Sequence, residues 1–274
     1  MHPGRRPAIA AVCAALLASL TVGCGSGPDA ANTPAGASHE SRSAAASGSA
    51  SPSVSGGISR PLCAEPDEGE FSQAASGPGA VTPVLLLGSG PRGVVLGGQA
   101  NGGICQMLPY GRELAARGYH VALFEWRNPY PQAMTAASDA LVTAGARRVV
   151  LGGFSRGALV ALGIVPTAGN SVVGVFSVSG GPSEGEGFAT VRSLSRFRGP
   201  ILLVMARDDD VFPPETTRAI ATRHRGPEQV LLLPGYDHAL RLLEGDNGPT
   251  VRAALLRFLA STTRSPGAAR AVRR

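Results

Sequence analysis

Between about Arg60 and Thr263 the chain alternates short, unbroken apolar runs with longer helix-like runs. No other feature narrows the fold as much. Seven runs read as strands: Thr82–Leu87, Gly93–Gly97, His120–Glu125, Arg148–Leu151, Val172–Val178, Ile201–Met205 and Val230–Leu233. They are rich in Val and Leu and lack polar alternation, as strands covered on both faces do. Helix-like stretches lie among them: Tyr110–Arg117, Gln132–Ala144, Arg156–Val165, Pro214–Arg223 and Thr250–Thr262. Pro214 suits the first turn of its helix, where a missing N–H costs nothing. Strand followed by helix, repeated, predicts a single mostly parallel sheet flanked by helices and joined by right-handed crossovers. A length of about 200 residues makes one domain, expected over 61–263.

Within that domain Gly153-Phe154-Ser155-Arg156-Gly157 forms a G-x-S-x-G motif. The motif is short enough to recur by chance, and it does: Gly181-Pro182-Ser183-Glu184-Gly185 is a second match. Context separates the two. Ser155 follows a compact apolar run and precedes Ala158-Leu159-Val160-Ala161-Leu162, the strand, sharp turn and helix that expose a nucleophile. Ser183 has Pro directly before it and no apolar helix after it. Ser155 is therefore the expected nucleophile.

A serine hydroxyl needs a base to take its proton. Of five histidines, His2 lies in the N-terminal segment read below as a signal peptide and His39 in the linker that follows it. His120 begins a strand, and His224 ends a helix, where a cation meets the dipole. His238 follows the last strand, in Leu233-Pro234-Gly235-Tyr236-Asp237-His238. A loop at the carboxyl end of a strand is where parallel sheets place their sites. The acid that must orient the histidine is expected after Ile201–Met205, where Asp208, Asp209 and Asp210 stand together. The residues alone do not choose among the three.

With Ser, Asp and His in that chain order, the sequence resembles the α/β-hydrolase superfamily over the whole domain. In that family the acid commonly lies four residues before a Pro. Laid on this chain, that resemblance implies Asp209, ahead of Pro213, and a histidine in an apolar-Pro-Gly setting, which His238 matches. It also implies an oxyanion hole of two donors. One is the backbone N–H of Arg156. The other is expected in Gly97-Gly98-Gln99-Ala100-Asn101-Gly102-Gly103, with Gln99 the favoured donor. Gly98 departs from the His that many relatives have there. The short interval from Ser155 to Asp209 leaves no room for a helical lid domain, so the plan is closest to small esterases and dienelactone-hydrolase-like enzymes. No His or Cys cluster has metal-ligand spacing, and no dinucleotide or phosphate fingerprint follows a strand, so neither metal nor cofactor is expected.

The ends tell a separate story. Residues 1–23 hold Arg5 and Arg6 and then an apolar run too short to span a bilayer, which reads as a signal peptide. Residues 24–60 are Ser-, Gly- and Ala-rich and cannot bury enough surface to fold. Gly23-Cys24 resembles a bacterial lipoprotein signal, which implies lipidation at Cys24; Thr21 departs from the usual Leu. Ordinary cleavage and secretion is the alternative. Export also suggests that Cys63 and Cys105, the pair left after Cys13 and Cys24, are bridged. The net charge of +6 comes from the termini, because Arg5, Arg6 and four arginines of an expected disordered tail, 264–274, account for all of it. A nucleic-acid partner is therefore not expected. The reading is an exported, membrane-tethered serine hydrolase acting on a small-molecule or envelope-associated ester. The alternatives are an amidase, peptidase or thioesterase with the same triad, or an inactive binding protein of the same fold.

Overall fold

A computed structural model describes residues 58–181 and 193–264. The signal peptide, Cys24, the linker up to residue 57, Ser183 and the tail from residue 265 lie outside the described residues. The strands are β1 (Glu70–Gly77), β2 (Ala80–Leu87), β3 (Arg92–Gly97), β4 (His120–Phe124), β5 (Arg148–Phe154), β6 (Val172–Val178), β7 (Ile201–Ala206) and β8 (Glu228–Leu233). The helices are α1 (Ile104–Ala116), α2 (Tyr130–Thr143), α3 (Arg156–Ile164), α4 (Pro214–Arg223), α5 (Arg241–Glu244) and α6 (Gly248–Thr262).

The strands form one sheet in the order β1-β2-β4-β3-β5-β6-β7-β8. β1 with β2 and β2 with β4 are antiparallel, and every other pairing is parallel. Two apolar layers sit on the two faces. Val94, Leu96, Val150 and Val204 point to one, packed against Ile104, Met107 and Phe258. Val95, Val149, Leu151 and Leu203 point to the other, against Met134, Leu141, Val160 and Ile220. This is why the central strands read as unbroken apolar runs: successive residues face opposite sides, and both sides are buried.

Several features differ from the sequence reading, among them an unexpected α5, and α2 and α6 that begin at Tyr130 and Gly248. β1 was not expected, since EFSQAASG is polar and small; it is an edge strand with one solvent-facing side, held by its ladder to β2. α1 begins at Ile104, not Tyr110, and carries Pro109 in its interior. Its first turn is anchored from a distance, because the Ile104 N–H donates to Glu125 Oε1 at 3.0 Å. β5 continues past Leu151 through Gly152 and Gly153 to Phe154. A disulfide joins Cys63 to Cys105 in the first turn of α1, with Cα atoms 5.6 Å apart. Ile58 and Arg60, read as linker, are bonded to the domain: Gln73 Nε2 donates to the Ile58 carbonyl, and the Arg60 guanidinium to those of Glu65, Glu68 and Gly69. Among the described residues no helix is long and apolar enough to cross a membrane.

Candidate active site

The strand order reverses direction between β3 and β5: the chain moves outward from β3 to β4, then returns to place β5 on the other side. A crevice opens outside the carboxyl ends of strands at such a point. Ser155 stands there, between β5 and α3, with φ 52° and ψ −110°. A positive φ costs a non-glycine residue about 1–3 kcal/mol. The surroundings hold it, because the Ser155 N–H donates to the Val178 carbonyl at 3.0 Å and the Gly157 N–H to that of Gly98 at 3.1 Å. The motif's glycines are needed for close approach. A Cβ at Gly153 would lie 2.3 Å from the Gly97 carbonyl oxygen, and one at Gly157 would lie 2.1 Å from it.

His238 Nε2 is 2.9 Å from Ser155 Oγ. On the other side of the ring, Nδ1 is 2.9 Å from Asp209 Oδ2 and 3.1 Å from Oδ1. The Asp209 side chain is fully buried, and that of His238 is 20% exposed. Asp209 Oδ1 also accepts the backbone N–H groups of Val211 and Phe212, at 3.0 and 3.1 Å. A carboxylate held in this way can only accept. It therefore accepts a hydrogen bond from Nδ1–H, which keeps its proton, and the Nε2 lone pair faces the serine hydroxyl. The Phe212 ring stacks on His238 with centroids 6.0 Å apart. Asp208 and Asp210, the two alternatives for the acid, are exposed. His120 and His224 lie at the amino ends of β4 and β8, away from Ser155. Burial pushes both imidazoles below their ordinary pKa.

Of the two expected oxyanion donors, the Arg156 N–H is the first amide of α3 and has no acceptor within the helix. The Gln99 N–H is already committed, to Gln106 Oε1 at 2.9 Å. The rest of this loop is tied down too. Trp126 Nε1 donates to the Gln99 carbonyl at 3.2 Å, and the Arg156 guanidinium donates to that of Ala100 while lying over the Tyr130 ring.

The sequence reading passed over two residues. Gln106 was hidden because the start of α1 was missed. Ser179 carries no motif, yet it is buried, and its Oγ accepts the Ala239 N–H at 2.9 Å, fixing the loop that bears His238. The site opens into a cleft of about 610 Å³ whose walls include Gln106, Tyr110, Tyr236, Arg241 and His238. Tyr110 Oη donates to Glu244 Oε1 at 2.8 Å, and burial together with that carboxylate pushes the phenol up to about 12. Among the described residues no group of three or more His, Cys, Asp or Glu could hold a metal ion.

No protein-family model matches the sequence, and no curated protein matches it. Solved structures do match. The Pyrococcus furiosus esterase aligns over 72% of this chain and 92% of its own, with 15% identity and a TM-score of 0.62. A dienelactone hydrolase-like promiscuous phosphotriesterase from metagenomic libraries aligns over 70% and 97%, with 19% identity and a TM-score of 0.59. The monoacylglycerol lipase of Paleococcus ferrophilus aligns over 65% and 98%, with 15% identity and a TM-score of 0.56. The fold is that of the α/β-hydrolases. At these identities the likeness establishes the fold and leaves the activity to the site.

Proposed function

We propose that the protein is a serine hydrolase that cleaves carboxylic esters with Ser155, His238 and Asp209. The observation that carries this is the continuous hydrogen-bond chain from Ser155 Oγ through both ring nitrogens of His238 to a buried Asp209. Ser155 Oγ attacks the acyl carbonyl as His238 Nε2 takes its proton. The resulting imidazolium is stabilised by the Asp209 carboxylate, and the carbonyl oxygen becomes an oxyanion beside the Arg156 N–H. As the intermediate collapses, the carbonyl–alkoxy bond breaks and His238 returns the proton to the leaving alcohol. Water, deprotonated by the same histidine, then attacks the acyl-enzyme and frees Ser155. Ester substrates are favoured over amides because the solved structures of similar fold include an esterase and a monoacylglycerol lipase. An open cleft of about 610 Å³ has space for a bulky acyl or alcohol group.

Export with lipidation at Cys24 is part of the proposal and rests on the sequence of residues 1–24. The Cys63–Cys105 bridge is consistent with an oxidising compartment, where disulfides persist. The test of function is pre-steady-state hydrolysis of p-nitrophenyl esters by the purified protein. The expected result is a burst stoichiometric with enzyme that disappears in Ser155→Ala. Ester turnover that survives Ser155→Ala would overturn the assignment.

A further inference from the structure

We propose that the second oxyanion donor is the side-chain carboxamide of Gln106, acting in place of the Gln99 backbone amide. The inference rests on the ester-hydrolase reading above and adds a catalytic residue to it. A backbone amide has one proton, and that of Gln99 is directed at Gln106 Oε1, 2.9 Å away. A carboxamide has two unlike ends. Because a donor fixes the Oε1 end, the Nε2 end is turned the other way, and neither of its protons has a partner among the described residues. Gln106 lines the same cleft as Gln99 and His238, and His238 reaches Ser155. Gln106, a residue of the cleft wall, thus holds two unengaged N–H donors beside a loop whose own amide is already spent. An N–H that itself receives polarisation from a hydrogen-bonded neighbour is a stronger donor than an isolated one.

The packing around Gln106 is shaped to hold it. A Cβ at Gly102 would lie 1.8 Å from Gln106 Oε1 and 2.7 Å from Nε2, and a Cβ at Gly98 would lie 2.9 Å from Oε1. The absence of a side chain at Gly98 thus leaves space for the amide. The backbone just before Gln106 is held twice, by the Cys63–Cys105 bridge one residue earlier and by Glu125 accepting from the Ile104 N–H. Oxyanion stabilisation requires such a donor, oriented before the charge develops.

The experiment uses the full chain and p-nitrophenyl butyrate, comparing kcat, KM and melting temperature for wild type, Gln106→Glu, Gln106→Met and Gly102→Ala. Glu keeps the shape and the acceptor for the Gln99 N–H but removes the Nε2 donors. Met removes both. Ala at position 102 pushes the flexible amide aside with no change at position 106. A donor role predicts that Glu is no better than Met. Each should lower kcat by about 100-fold with KM and melting temperature little changed, and Gly102→Ala should follow them. If Gln106 only held the loop, Met would lower the melting temperature together with kcat, and that result would overturn the proposal. So would a kcat within threefold of wild type for Met. These failures are separable from failure of the ester-hydrolase reading, which Ser155→Ala tests alone.

Discussion

Replacing Asp209 by Asn changes one atom and should silence the site through a proton in the wrong place. In the wild-type geometry Asp209 Oδ1 accepts the Val211 and Phe212 N–H groups at 3.0 and 3.1 Å, while Oδ2 lies 2.9 Å from His238 Nδ1. Two backbone donors at one position require an oxygen there, so the new NH₂ takes the place of Oδ2. It then donates to Nδ1, which must give up its proton to Nε2. The histidine now presents N–H to Ser155 Oγ across a 2.9 Å contact and cannot act as its base. An inverted tautomer of this kind costs about 10⁴-fold in kcat, or about 5.5 kcal/mol of transition-state stabilisation. Stability should change little, since both backbone bonds survive. Asp209→Ala, by contrast, leaves two part-buried N–H groups without their acceptor, at up to about 1–3 kcal/mol each. The assay is p-nitrophenyl ester turnover with a parallel thermal melt. An Asp209→Asn protein retaining more than one-hundredth of wild-type kcat would refute the reasoning. Asp208→Asn and Asp210→Asn, at exposed positions, should stay within about threefold of wild type, the range of ordinary surface changes.

Reducing the Cys63–Cys105 bridge, whose sequence separation is 42, should cost about 4 kcal/mol by loop entropy; differential scanning calorimetry should show a melting temperature lower by on the order of 10 °C, and an unchanged melt would remove the claim. Burial holds the His120 and His224 pKa values below that of the unfolded chain. The unfolded state therefore binds more protons as pH falls through about 6.5, and stability should drop by at most about 1.4 kcal/mol per pH unit for each histidine. Urea midpoints measured from pH 7.5 to 5.5 should fall, and a flat profile would contradict the linkage. Phe176 on β6 is fully buried in the core with Phe154 and Phe258, so Phe176→Ala should destabilise the fold by about 3–5 kcal/mol, readable in the same denaturation assay.

How much of this was legible in the chain depended on whether the cause was local. The central strands and α4 declare themselves because each residue's own character, apolar on both faces or Pro at a first turn, matches its surroundings. The turn that bears Ser155 is legible for the same reason, since glycines at 153 and 157 answer a steric need written into the motif. β1 was not legible because its stability comes from pairing with β2 rather than from its own composition. The start of α1 was hidden because the group that anchors it, Glu125, is 21 positions away, and because Pro109 argues locally against a helix. Gln106 was lost with that turn. Asp209 could be singled out from its two neighbours only through the family resemblance; in the structure, burial separates it from them.

The most direct test of the central claim is to label the purified full chain with a fluorophosphonate and map the adduct by mass spectrometry. The account predicts a single adduct on Ser155 that is lost in His238→Ala. An adduct on Ser183, or none on a protein shown to be folded, would contradict it.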